Sequence, residues 1–94
     1  MMMKKRAHVF YSGRVQGVGF RLTAEEAAHD YQVAGWVKNL RDGRVELLAE
    51  GEQRVLEQFL QAIRVGPMKN FIANVQISWT AASDAFEVFE IRYF

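Results

Sequence analysis

Cysteine is absent from the 94-residue chain, which rules out a disulfide framework, cysteine-based structural zinc sites and a thiol nucleophile. Long hydrophobic runs are missing too. After the basic start Met1-Met2-Met3-Lys4-Lys5-Arg6, the apolar stretch breaks at Ser12 and Gly13. That is too short for a signal-peptide core or a spanning helix, so a cytoplasmic protein is expected. Neither sign of charge dominates: 12 Lys and Arg face 11 Asp and Glu, for a formal net charge of +1, and the two signs are interspersed. Neither nucleic acid nor a membrane is therefore indicated as a partner, and the Lys4-Lys5-Arg6 run predicts a solvated, frayed terminus. The chain has no HExxH, no Asp/His metal cluster, no nucleophile elbow and no Walker-type lysine after its glycines. Ordinary phosphomonoester or nucleotide hydrolysis thus lacks its usual equipment, and neither a metal nor a cofactor is expected. No repeat, low-complexity tract or linker divides residues 1–94, a length that suits one domain with its own core.

What is present is a glycine-rich connection. Gly13-Arg14-Val15-Gln16-Gly17-Val18-Gly19-Phe20-Arg21 follows Ala7-His8-Val9-Phe10-Tyr11, which reads as a strand, and runs into Leu22-Thr23-Ala24-Glu25-Glu26-Ala27-Ala28, which reads as a helix. Glycines at such a turn let successive N–H groups point inward, and the helix behind them adds its positive dipole end. A cation at Arg21 opposes that dipole by roughly 0.3–1 kcal/mol, so its placement makes sense if an anion sits between the two positive features. Glycines between a strand and a helix also serve as plain chain-reversal residues, and Glu25 and Glu26 could offset Arg21 without a ligand.

The rest of the pattern gives an order of elements. A first strand is expected at about 6–12, with Val9 and Tyr11 alternating with Phe10 as where both faces of a central strand are covered. The helix that follows carries Ala24, Ala27, Ala28 and Tyr31 on one stripe. Val33 to Asn39 reads as a second strand, Arg41-Asp42-Gly43 as a turn, and Arg44 to Glu50 as a third strand ended by Gly51. Glu52 opens a second helix with Val55, Leu56, Phe59, Leu60 and Ile63 on one face, stopped by Gly66-Pro67. A loop at Met68 to Phe71 leads to a fourth strand with Val75, Ile77 and Trp79 alternating, and Phe86 to Ile91 reads as a short fifth strand or strand end. The order βαββαβ predicts an α+β, ferredoxin-like two-layer sandwich, an antiparallel sheet with two helices on one face. A right-handed crossover makes the first and second strands run the same way with the third between them. Asn39 at the end of the second strand then becomes a neighbour of the glycine loop.

Two strings carry a resemblance. Gly13-x-Val15-Gln16-Gly17-Val18-x-Phe20-Arg21 resembles the first signature of the acylphosphatase family, and Gly35-Trp36-Val37-Lys38-Asn39, with Gly43, Val45 and Gly51 beyond it, resembles the second. The resemblance spans nearly the whole chain. It implies an enzyme that hydrolyses the carboxyl–phosphate bond of a small-molecule acyl phosphate. Arg21 and Asn39 would be the catalytic residues, and Val15, Gln16, Gly17, Val18, Gly19, Phe20 and Arg21 the phosphate cradle. Inorganic phosphate would be product and inhibitor, and the enzyme a monomer. Near the end of the first helix, where the family usually carries a glycine, this chain has Gln32, and the Met68 to Phe71 loop is slightly longer than the family pattern.

The residue types suit that chemistry. A guanidinium offers a planar fork to two phosphate oxygens, and N–H groups can hold the others. The Asn39 amide has a donor and an acceptor with which to hold a water in line, although a hairpin-turn role is its ordinary alternative. An acyl phosphate expels a carboxylate with a conjugate-acid pKa of about 4, which leaves without a protonating acid. His8, within the first strand, and His29, late in the first helix, are expected as packed or surface residues. Ser12 is expected as turn chemistry, and Trp36 as core or rim packing. A non-catalytic ferredoxin-like module for a small ligand or RNA is the alternative, since fold alone does not fix function. Arg44-Val45-Glu46-Leu47-Leu48 lacks the aromatics on which an RNA-binding sheet stacks bases. A segment of a larger maturation protein is disfavoured by the absence of the cysteine motifs of such proteins.

Overall fold

The computed structural model describes residues 3–94. Strand β1 (Lys4–Gly13) alternates Ala7, Val9 and Tyr11 toward the core with Arg6, His8 and Phe10 away from it. It pairs antiparallel with β3 (Val45–Glu52) on one side and with β4 (Ile72–Ala81) on the other, and β2 (Ala34–Asn39) pairs antiparallel with β3. The resulting order is β4-β1-β3-β2-β5. The four-stranded antiparallel sheet is as expected, and β5 (Phe89–Arg92) adds a parallel edge beside β2, so the whole sheet is mixed.

Helices α1 (Phe20–Tyr31) and α2 (Gln53–Val65) cover one face. Phe20, Ala24 and Ala28 from α1 and Leu56, Phe59, Leu60 and Ile63 from α2 meet Val9, Tyr11, Val37, Val45, Leu47 and Ala49 of the strands in one core. Only this face is covered by helices, so Phe10 stays half-buried rather than enclosed as the sequence suggested. No helix among the described residues is long and apolar enough to cross a membrane.

Several boundaries differ from the sequence expectation for reasons of pairing. Lys4-Lys5-Arg6 is not frayed: it extends β1, opposite Glu52, Gly51 and Glu50. The same ladder carries β3 through Gly51 to Glu52, so α2 begins at Gln53. The expected fifth strand starts only at Phe89, and a short 3-10 turn, Lys69–Phe71, occupies the Met68 to Phe71 loop. At the end of α1, Gln32 adopts φ 56°, ψ 43° and its N–H reaches the carbonyls of Ala28 and His29. That is the left-handed cap geometry glycine ordinarily provides, so the cap survives the missing glycine.

Candidate active site

Because β1 and β2 run the same way across β3, their C-terminal ends open on the same edge. The loop from β1 to α1 fills that edge. Val15 is fully buried and fixes one end of the loop in the core, while Phe20 packs its ring against Tyr11 at 4.7 Å. The Arg14 N–H donates to the Phe71 carbonyl at 3.0 Å. Between these anchors Gly17 and Gly19 take φ 76° and 83°, the left-handed region that turns neighbouring N–H groups to a common side. Gly19 is also the N-cap of α1, with no side-chain cap bond. Among the described residues, the N–H groups of Val15 to Phe20 have no protein acceptor, which leaves an uncapped helix start rich in free amide donors.

Arg21 lies in the first turn of α1, half-buried, with its guanidinium over the Tyr93 ring at 5.0 Å. It forms no ion pair with a carboxylate among the described residues, so Glu25 and Glu26 do not neutralise it. Asn39, the last residue of β2, stands opposite the core residue Val45 and therefore faces the helix side of the sheet, while Lys38 faces away. Its Oδ1 is buried and meets no hydrogen-bond donor, alone in this among the buried side-chain polar atoms of the described residues. A buried carbonyl without a partner costs about 1–3 kcal/mol, and such groups in native proteins have a reason. Arg21, Asn39, Gly17 and Gly19 line one pocket of about 310 Å³ together with Val15, Phe20, Leu22, Ile91 and Tyr93.

Gln16 plays a part its position in the loop did not reveal. Its Nε2 donates to the Leu40 carbonyl at 2.7 Å and to the Arg44 carbonyl at 3.0 Å, tying the loop to the β2–β3 turn just past Asn39. That turn is itself closed by Leu40 N–H to the Arg44 carbonyl at 2.8 Å. Asp42 accepts from the Arg44 backbone N–H and Nε, and the backbone bond first, then the guanidinium, holds its carboxyl below the usual range against a desolvation cost.

A family model described as Acylphosphatase matches residues 7–91. The chain belongs to the acylphosphatase family. An acylphosphatase of Salinibacter ruber is 43% identical over 89 residues, covering 95% of this chain and 94% of that protein. The crystal structure of the acylphosphatase from Bacillus subtilis superposes with a TM-score of 0.88 at 36% identity, over 95% of this chain and 99% of the other. That of an acylphosphatase from Coxiella burnetii gives 0.85 at 36%, over 96% and 94%. Membership makes the chain an enzyme, an acylphosphatase, on the ferredoxin-like fold.

The other polar candidates stand apart from this pocket. His8 lies on the uncovered face of the sheet, its Nε2 2.6 Å from Glu46 Oε2, and His29 is exposed near the end of α1. Trp36 is a rim residue of that uncovered face, with Lys38 Nζ and the Arg92 guanidinium each 5.2 Å from its ring. Ser12 lies at the irregularity where β1 leaves β4 and does not line the pocket. No three His, Cys, Asp or Glu side chains of the described residues gather as a metal site. Sequence reasoning missed Leu22, Ile91 and Tyr93, and the only signal for them was an apolar and aromatic C-terminal segment beside an exposed leucine.

Proposed function

We propose that this chain hydrolyses acyl phosphates to a carboxylate and inorganic phosphate, with the phosphate held by the Arg21 guanidinium and the Val15 to Phe20 amides. What supports this is one pocket lined by both an arginine without a carboxylate partner and an asparagine carbonyl without a donor among the described residues. Charge-assisted hydrogen bonds of this kind contribute about 1.5–3 kcal/mol each, and more where charge develops in the transition state. The buried Asn39 Oδ1 is suited to accept a hydrogen bond from water and so to aim its oxygen at phosphorus. As the water oxygen bonds to phosphorus, the bond to the acyl oxygen breaks and its electron pair leaves on the carboxylate. The water's proton passes to a phosphate oxygen, so no side-chain base is required. Inorganic phosphate, retaining the anion that Arg21 grips, acts as a competitive inhibitor. Every group involved comes from one chain, in keeping with a monomer and with residues 1–94 as one domain. A cysteine-free chain fits a cytoplasmic setting.

The test is hydrolysis of benzoyl phosphate by purified protein in the presence of EDTA, for the wild type, Arg21→Ala and Arg21→Lys. Turnover that survives EDTA and is lost in Arg21→Ala, together with inhibition by phosphate, is expected. Lysine should restore little, because a point charge lacks the fork. Retained phosphate inhibition in a folded Arg21→Ala protein sinks the assignment.

A further inference from the structure

The walls of the pocket divide by chemistry. Gly17, Gly19, Arg21 and Asn39 are the polar side, and the remainder is Val15, Phe20, Leu22, Ile91 and Tyr93, wholly apolar or aromatic. Arg21 is the only charged side chain on the wall among the described residues, and it is the group the phosphate requires. Leu22 and Tyr93 are large side chains left 54% and 73% exposed. An exposed leucine alone means little, but two such residues lining one pocket mark a surface that a ligand can cover. The Arg41-Asp42-Gly43 turn and the Met68 to Phe71 loop do not line the pocket.

Resting on the reading of Arg21 and Asn39 given above, we infer that the enzyme selects acyl phosphates whose acyl group is uncharged and apolar or aromatic, seated on Leu22, Ile91 and Tyr93. An acyl group bearing its own carboxylate would bring a charge onto an apolar rim with no cation beyond Arg21 to receive it. Each methylene fully covered by such a wall is worth roughly fourfold in binding. A three- or four-carbon apolar extension on a rim this open should therefore gain about tenfold.

Butanoyl and succinyl phosphate test this directly, since both acyl groups have four carbons and differ by a terminal methyl against a carboxylate. The kcat/KM for butanoyl phosphate is expected to exceed that for succinyl phosphate by tenfold or more. Leu22→Lys, at an exposed position, should shrink that ratio at least tenfold by supplying the missing cation, with a melting curve like the wild type. Equal rates for the two substrates in the wild type, or a ratio that Leu22→Lys does not move, overturns the selectivity while leaving the hydrolase reading intact. Failure to hydrolyse either substrate overturns both.

Discussion

Replacing Gln16 by alanine isolates the clamp between the phosphate loop and the end of β2. The side chain makes two hydrogen bonds, at 2.7 and 3.0 Å, to the carbonyls of Leu40 and Arg44. Losing it leaves neither carbonyl orphaned, because Leu40 O still accepts from Gly43 N–H at 3.2 Å and Arg44 O from Leu40 N–H at 2.8 Å. The cost is thus two net hydrogen bonds of about 0.5–1.5 kcal/mol each, without an added desolvation penalty, or about 2 kcal/mol in all. For a domain of this size that lowers Tm by on the order of 8–16 °C, well short of a whole-domain stability of about 5–15 kcal/mol. Gln16→Glu should cost more than alanine, since a carboxylate would then face two carbonyl oxygens. The loop amides and Asn39 share a register through this clamp, so kcat in Gln16→Ala should drop by about tenfold or more at temperatures where the protein stays folded. Thermal melting by circular dichroism and steady-state hydrolysis of benzoyl phosphate read both effects. A variant with wild-type Tm and wild-type kcat, or a Gln16→Glu protein as stable as the wild type, refutes the clamp.

Asn39→Ala should lose about 10²–10³ in kcat, the scale of removing one positioning group, while the phosphate inhibition constant moves only a few-fold and Tm does not fall, since among the described residues Oδ1 has no protein partner to lose and the substitution removes an unpaired buried carbonyl. Proportionate loss of activity and folded fraction would assign it a structural role instead. Glu50, 6% exposed, accepts from Arg6 Nε at 2.7 Å, Ser83 N–H at 2.8 Å, Ser83 Oγ at 2.9 Å and Asp84 N–H at 3.0 Å. Burial alone would raise its pKa, yet the Ser83 N–H, the Arg6 guanidinium and the Ser83 hydroxyl together hold it lowered. A folded-state pKa below the unfolded one, about 4.3, gives stability that is fully present above that value and lost as pH falls through the folded pKa. Glu50→Gln should therefore cost about 2 kcal/mol at pH 7 and flatten the loss of stability below pH 5; parallel pH profiles for the two proteins would contradict this. Gln32→Gly should raise Tm by a few degrees, because relief of left-handed strain of about 1–2 kcal/mol exceeds the added backbone entropy of about 0.4–1 kcal/mol; an unchanged or lower Tm would show that the cap is not strained.

The amino-acid sequence by itself determined what neighbours along the chain can decide. Alternation at Val9 and Tyr11, the helical stripe of Ala24 and Ala28, the glycines at 17 and 19 and the apolar face of α2 each express a local conformational preference. Together they fix the order of elements, and with the crossover rule they bring Arg21 and Asn39 to one edge. Two calculable neighbours, Glu25 and Glu26, could have cancelled the Arg21 charge, and only the folded chain shows that they do not pair with it. Tertiary structure decided everything that depends on which distant groups meet. Gln16 reaches a carbonyl 24 residues away, and Arg6 meets Glu50 across 44, partners that a glutamine in a glycine loop or an arginine near a terminus does not specify. Pairing likewise overrode local signals at Lys4-Lys5-Arg6, where the ladder to β3 orders a basic run that would be solvated in isolation, and at Gly51, which stays in the strand because Lys5 lies opposite. The apolar rim belongs to the same class: Ile91 and Tyr93 reach the pocket because β5 runs parallel to β2 and ends with Arg92 opposite Lys38, the residue before Asn39, a sheet-edge pairing that four residues of strand cannot announce on their own.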